Sequence, residues 1–422
     1  MIDIKFIREN PEKVKEACVK KNIDNGEALV EQVLDLDIRK RSLITSLEAL
    51  RAKQNKLTRS ASSGQAKDDI EEAKKNKLEI KTLEPDLEET EKKFDELMQK
   101  LPNIPFDDVP VGKDDSQNKV LRTNGKIPKF DFKPKDHLEL GEALNIIDVK
   151  RAAKLSGSRF GYFKREAAIM EFALVQLAFE KAVKEGFVPI VPPVLIKPEI
   201  MQGMGYIDTP EDLAERYYLE KDQLFLIGSS EQSIGGLHQG EIFEESELPN
   251  RVIAFSTCFR KEAGSYGKDT RGILRVHQFD KIELFSFCHP EKSKEEHRFL
   301  VSFEEKLWQA LKIPYQVVQL STGDMSRPSA STIDIEAWLP GQNRYREVSS
   351  ASNTTNFQSR RLDIRYKSKG KPEFLHMLNA TGFPIGRAII AILENYQQKD
   401  GSVKIPTVLQ KYTGFKSIKA SK

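Results

Sequence analysis

Hydrophobic positions divide the chain into two unlike stretches. From Val33 to Leu57 the chain reads Val33, Leu36, Lys40, Leu43, Leu47, Leu50, Gln54 and Leu57, alternating steps of three and four residues. This is the spacing of a coiled-coil seam, and leucine recurs at every seventh position from Leu36 to Leu57. The small, turn-favouring residues SASSGQA at 60–66 interrupt it, and the seam resumes as Ile80, Leu83, Leu87, Thr90, Phe94, Leu97 and Leu101. Two seams joined by one short break predict an antiparallel helical hairpin closing on itself. At 1.5 Å per residue, helices of about 30 residues project roughly 45 Å, further than covering a core requires, so the hairpin is expected to touch a partner. Pro85 lacks an amide hydrogen and crowds the preceding turn, which predicts a kink or break in the second helix.

The pattern then changes. LPNIPFDDVPVG, at 101–112, carries three prolines and no helical period, marking a linker. The expected organisation is an arm over 1–104, a linker over 105–136 and a second domain over 137–422. There, amphipathic stretches such as 167–183 alternate with β-rich runs at 188–196, 251–259 and 281–287. Strands in close succession predict an antiparallel sheet flanked by helices, so the whole is of the α+β class with a helical hairpin in front.

Composition narrows the function classes. With 422 residues, 39% hydrophobic and 31% charged, the chain fits a soluble protein of two or three domains with at least one full core. The 67 Lys and Arg against 64 Asp and Glu leave +3, so a nucleic-acid surface must come from local clustering. One cluster, from Arg39 to Arg59, includes Lys40, Arg41, Arg51, Lys53 and Lys56 and could pair with a phosphate backbone; its plainer reading is a solvated coiled-coil flank. Cys18, Cys258 and Cys288 lie far from any CxxC spacing, which argues against a disulfide framework or a cysteine-rich zinc site and suits a reducing cytosol. The opening MIDIKFIREN is rich in charge and no long uncharged apolar run follows, so export and membrane insertion are not expected. Neither a GxxxxGK[ST] nor a GxGxxG loop occurs, and a bound nucleotide needs another device.

Three segments carry candidate chemistry. In the first, Phe259 to Phe285, a strand bearing Arg260 and Glu262 enters a loop containing Gly264, Ser265, Gly267, Asp269, Thr270 and Gly272, and returns through Arg275, His277 and Gln278 to a strand carrying Glu283. Alternation would turn Arg260 and Glu262 to one face, where a guanidinium reaches a phosphate and a carboxylate an amine; a salt-bridged hairpin is the bland alternative. In the second, Leu378 to Gln397, Asn379, Thr381 and Gly382 end a strand, and Gly386 and Arg387 open a helix burying Ile389, Ile390, Ile392 and Leu393. Arg387 gains nothing from the helix dipole in that first turn, which suggests a phosphate nearby. In the third, Arg346 to Tyr366, Glu347 precedes Ser349, Ser350, Ser352 and Asn353, hard oxygen donors suited to a hydrated divalent ion or, more plainly, to a turn.

Together Arg260, Glu262, the HQF of 277–279 and the Gly386–Arg387 helix start resemble motifs 2 and 3 of class II aminoacyl-tRNA synthetases, and GFVPIVPPVLI with Pro193 resembles their dimer-forming motif 1. DIKFIREN, the hairpin, PNIPFDDVPVGKD, STGD, SNTTNFQSRR and LENYQQKDG extend the resemblance, from about residue 2 to 406, to the seryl-tRNA synthetase family. It implies a serine–tRNA ligase that activates L-serine with ATP and Mg²⁺, acts as a cytoplasmic homodimer, and grips tRNA(Ser) with the hairpin; tRNA(Sec) is a second candidate. Residue by residue, it implies Arg260 and Arg387 as the catalytic cations and Arg260, Glu262, Glu347, Ser349, Ser350 and Arg387 around ATP. It further implies Glu347 and Ser350 on Mg²⁺, and Ser229, Glu231, Arg260, Glu283 and Thr381 around serine. Departures border that pocket: Ser229-Ser230 where Thr-Ala is usual, Gly228 where Pro is common, Ala380 where Gly is typical, Ser321 where Cys often stands, and an unusual MSRPSAS at 325–331. A relative that loads a carrier protein would lack the hairpin, and a noncatalytic paralogue would have lost Arg260, Glu283, Glu347 or Arg387.

Overall fold

Two short helices, α1 (Ile4–Glu9) and α2 (Pro11–Lys20), lead into the long helices α3 (Gly26–Ser62) and α4 (Lys67–Lys100) of a computed structural model that describes residues 1–62, 67–263 and 271–420. These helices make up one of two units, Met1–Pro102; the other is Asn103–Lys422. The seam is as the heptads predict. Val33, Leu43, Leu47, Phe94 and Leu101 are buried, each stabilising the hairpin by about 1.5–3 kcal/mol relative to exposure, while at 97–98 the buried side chain is Met98 and the predicted Leu97 is half-buried. The seam also holds Asn76, which the heptads miss: its amide donates to the Leu50 carbonyl (2.9 Å) and to Gln54 (2.8 Å). Part of the expected interruption, residues 63–66, lies outside the described residues.

Of the expected kink or break at Pro85 the break is absent, and α4 runs through it as one helix. Leu83 and Leu87 lie along the seam on either side, and the flanking acids Glu84 and Asp86 pair with Arg51 (2.8 Å) and Arg39 of α3. Packing along a whole helix outweighs one missing backbone bond. The same geometry engages much of the basic cluster: Lys40 faces Glu91 (3.2 Å) and Lys53 faces Glu72 (2.7 Å).

The second unit is built on an eight-stranded sheet. In chain order its strands are β1 (Lys119–Asn124), β2 (Val188–Ile190), β3 (Asn250–Phe259), β4 (Gln278–Cys288), β5 (Tyr315–Gln319), β6 (Ser331–Leu339), β7 (Arg344–Asn353) and β8 (His376–Pro384). They lie in the order β1-β5-β6-β7-β8-β4-β3-β2. All neighbours are antiparallel except the edge pair β2 and β3. The predicted run 188–196 is therefore divided: after β2, Pro192 and Pro193 offer no amide donors, and Leu195–Ile196 pairs instead with Leu224–Leu226 in a small separate sheet.

Helices α5 (Glu166–Lys184), α9 (Ser293–Leu311) and α10 (Ile385–Asn395) contribute to the principal core against the sheet, with Leu174, Trp308 and Ile389 meeting Ile282, Leu284 and Ile335. Between α5 and α9 the described residues include three short α-helices, α6 (Pro198–Gly203), α7 (Pro210–Ala214) and α8 (Ser230–Gly235). A second apolar cluster contains Met204, Ile234, Phe285, Phe287 and Met377. Strand β4 shows how the sequence divides the two faces. Ile282 and Leu284 join the principal core, and Phe285 and Phe287 the second cluster, while Lys281 and Glu283 share the latter's alternation nearer the start of the strand.

Candidate active site

Two β-bulges aim the functional side chains. Between β4 and β8, Ile282 is opposite Phe383 but Glu283 is opposite Thr381, so Gly382 is an extra residue. That lets Phe383 pack in the core while Thr381 reaches a cleft with Arg260 and Glu347. The displaced Thr381 amide donates to Glu304 of α9 at 2.9 Å, a carboxyl held well above its usual range by burial, with Asp334 adding to the effect. Between β6 and β7, Glu336 faces Glu347 and Ile335 faces Ser349, leaving Val348 extra. Simple alternation would send Glu347 and Ser350 to opposite faces. With the bulge, Ser350 hydrogen-bonds the Asp334 carboxyl while Glu347 exerts its charge on the same group; burial above all raises that buried acid.

The cleft, of about 150 Å³, is lined by Arg260, Glu262, Phe279, Glu347, Thr381 and Arg387, among others. Arg387, in the first turn of α10, donates to the Glu347 carbonyl (2.8 Å) and lies 3.2 Å from its carboxylate. Desolvation would raise the Glu347 carboxyl, but its side chain is about half exposed, and Arg387, with Arg260 and Lys281 adding, makes the net shift downward. The Arg260 guanidinium lies over the Phe279 ring, 5.2 Å from its centroid, and its Nε donates to the Gly228 carbonyl at 3.0 Å.

An adjoining cavity of about 430 Å³ shares Arg260, Glu262 and Arg275 with the first and adds Tyr206, Arg216, Ser229, Glu231 and Gln232. Ser229 caps α8 and donates through its hydroxyl to Glu283 Oε2 at 2.8 Å. Lys281 lies 2.5 Å from the same oxygen, whereas Glu283 Oε1 is buried without a partner among the described residues. Burial pushes the Glu283 carboxyl up to about 7, with Lys281 opposing and Glu231 adding to the rise. Glu231 is fixed by three donors: Tyr206 (2.7 Å), Asn379 (3.1 Å) and Gln358 (3.3 Å).

The structure thus brings Arg260, Glu262, Glu347, Thr381 and Arg387 to one cleft and Ser229, Glu231 and Arg260 to the next, with Glu283 bonded to Ser229. Ser349, Ser350 and Glu283 itself line neither cavity. The Ser349 hydroxyl accepts from the Trp308 indole (2.9 Å) in the core. The Ser/Asn run containing it is a strand, β7, rather than a turn. Arg260 and Glu262 do not extend β3 either: the strand ends at Phe259, and Glu262 has φ +53°, outside extended geometry. What holds Glu262 is Arg275, at 2.7 Å. The loop residues Gly264, Ser265, Gly267, Asp269 and Thr270 lie outside the described residues. Sequence reasoning missed Tyr206, Arg216, Lys281, Glu304 and Asp334. Lys281 and Glu304 were legible only as charges amid core-forming periodicity, and Tyr206 and Arg216 carry no local pattern.

The description "Seryl-tRNA synthetase N-terminal domain" fits residues 1–105, and "tRNA synthetase class II core domain (G, H, P, S and T)" fits residues 217–396. The serine–tRNA ligase of Thermobifida fusca is 44% identical over 418 residues, spanning 98% of each chain. Among solved structures, seryl-tRNA synthetase from Pyrococcus horikoshii complexed with ATP superposes with a TM-score of 0.94 at 40% identity, covering 100% of both chains. The cytoplasmic serine–tRNA ligase of Naegleria fowleri in complex with AMP gives 0.89 at 33% identity, covering 100% of this chain and 99% of that one.

Proposed function

As a member of the seryl-tRNA synthetase family of class II synthetases, the chain is a serine–tRNA ligase, and we propose that its two adjoining cavities are the ATP and serine halves of one active site. The observation that carries this reading is Arg260, which lines both. Activation joins a serine carboxylate to the α-phosphorus of ATP. The nucleophile is already an anion, so no general base is needed; alignment and positive charge at the phosphorus are what the site must supply. Arg260 lies where the two substrates meet, Arg387 is placed for the distal phosphates, and Phe279 and Glu262 suit the base.

Magnesium fits the donors present. Among the described residues no three acidic, histidine or cysteine side chains form a metal site by themselves, but Mg²⁺ on a nucleotide takes one or two carboxylates and completes its shell with phosphates and water. Glu347, kept ionised by Arg387, and Ser350 would hold it, and Asp334 Oδ1, buried without a partner among the described residues, lies beside them. When bound, the ion neutralises charge on the departing pyrophosphate. Transfer to a ribose hydroxyl of tRNA follows on the same platform, with the α3–α4 hairpin as the grip for tRNA(Ser). A second copy of the chain suits the exposed Ile169 and Phe172 of α5 and Val188 of β2, making the working unit a homodimer.

Glu231, Ser229, Glu283 and Thr381 would select serine, because a pocket built to hydrogen-bond a hydroxyl rejects the analogue lacking it by roughly 10⁴ or more. ATP–pyrophosphate exchange without tRNA, run across the amino acids, tests the assignment. Serine alone should support full exchange; exchange with alanine or glycine but not serine would overturn it. Protonation gives a second expectation. Glu283 is a carboxylate above about pH 7 and neutral below, and only the carboxylate attracts a substrate ammonium. Serine affinity should therefore fall about tenfold per unit as pH drops below 7, measured as KM for serine between pH 8 and 5.5; a flat profile would remove Glu283 from the ammonium.

A further inference from the structure

One cation facing the serine half is not used by that scheme. Arg216, two residues past α7, lies over the Tyr206 ring at 5.0 Å from its centroid. Its Nη1 occupies space that a side chain at Gly228 would need, since a Cβ there would come within 2.7 Å. Its Nε is buried without a hydrogen-bond partner, and among the described residues no carboxylate forms an ion pair with it. Glu215 lines the same cavity, and both it and Asp212, which pairs with Arg327 at 2.9 Å, act on Arg216 only through their charge. Burial, and after it the like charge of Arg260, lowers the Arg216 pKa. Two guanidinium groups on one cavity repel unless an anion lies between them.

The cavity is polarised to match an amino acid. Of its lining charges Glu262 is taken up by Arg275; Arg216 and Arg260 form a cationic part, while Glu231, with Ser229 that hydrogen-bonds the carboxyl of Glu283, forms an acidic part. An ammonium suits the acids and a carboxylate suits the two arginines. We propose that Arg216, together with Arg260, binds the carboxylate of the incoming serine and holds its non-attacking oxygen. In the activation step one carboxylate oxygen forms the bond to the α-phosphorus. The bond from phosphorus to the bridging oxygen breaks, and its electron pair leaves with pyrophosphate. The second carboxylate oxygen becomes the carbonyl of the mixed anhydride and stays on Arg216, and no proton moves. Arg216 is then a catalytic residue supplied by a connecting loop rather than by the sheet. Gly228, which departs from the proline common in the family, is the neighbour that leaves room for it.

The inference rests on the serine assignment, and its test separates the two. The full-length Arg216→Ala protein is compared with wild type for serine KM in pyrophosphate exchange and for inhibition by serinamide, which keeps the ammonium and hydroxyl but has no carboxylate. Serine KM should rise about 30-fold, as expected for a lost charge-assisted hydrogen bond, with ATP KM and serinamide inhibition within about twofold and partial recovery in Arg216→Lys. An unchanged serine KM, or equal weakening of serine and serinamide, would overturn the proposal, the latter because it indicates a distorted pocket. Loss of exchange in Arg260→Ala with Arg216→Ala unaffected would remove Arg216 alone; wild-type exchange in both would remove the site assignment itself.

Discussion

Arg260→Ala is expected to lower serine-dependent pyrophosphate exchange by about three orders of magnitude while shifting thermal unfolding by only a few degrees. The large term comes from position. Arg260 belongs to both cavities, so its loss removes charge from the phosphorus and from the attacking carboxylate together. A single preorganised donor of this kind is worth about 10²–10³ in rate. Nor is the side chain needed to hold the fold. Among the described residues its one side-chain hydrogen bond is Nε to the Gly228 carbonyl, a contribution of about 1 kcal/mol, and the backbone at 260 is fixed independently by the His277 carbonyl. Arg260→Lys should fall between, keeping the charge but losing the planar fork and the face-on contact with Phe279. Exchange at the wild-type rate in Arg260→Ala would place the residue outside the active site.

Much of the fold was legible because its signals are periodic. The 3–4 steps of the hairpin and the β-rich run at 281–287 need only local spacing and composition, and both survive in the structure, as α3 with α4 and as β4. Local reasoning failed where tertiary packing overrides a single residue. Pro85 is carried inside α4, and Glu262 leaves extended geometry immediately after β3 ends. The division of 188–196 between two sheets depends on which strand each half meets, and composition does not encode that choice.

The site was legible by resemblance more than by pattern, and the bulges explain why. A period-two reading of β7 separates Glu347 from Ser350, yet the extra residue Val348 brings both beside Asp334. The same reading gives no reason for Ser349 to turn to Trp308 in the core. In β8 the extra Gly382 frees Thr381 for the cleft and leaves its amide to Glu304, 77 residues away along the chain. Each bulge is an agreement between two strands, so neither strand's sequence announces it alone.

Deleting residues 36–97 should leave serine-dependent exchange within about twofold and lower tRNA charging by about 100-fold or more. The cut is structurally reasonable: Asp35 and Leu36 share a small surface groove with Glu96 and Leu97, so a short Gly-Ser link can join the two stumps. Both cavities are lined entirely by residues of the second unit, and activation uses no group from the deleted segment. Charging differs because tRNA must be held while its ribose hydroxyl reaches the adenylate. The hairpin's basic residues are already paired across the seam, as in Arg51–Glu84 and Lys53–Glu72, but these pairs are about half exposed and exposed pairs contribute only about 0–1 kcal/mol. Exchanging a carboxylate for a tRNA phosphate therefore costs little, and every phosphate so neutralised releases counterions. Charging by the intact protein should consequently weaken steeply with added salt, whereas the residual charging of the shortened protein should be much less salt-sensitive. Full charging by the shortened protein, with unchanged salt dependence, would make the hairpin a stability element instead of a grip.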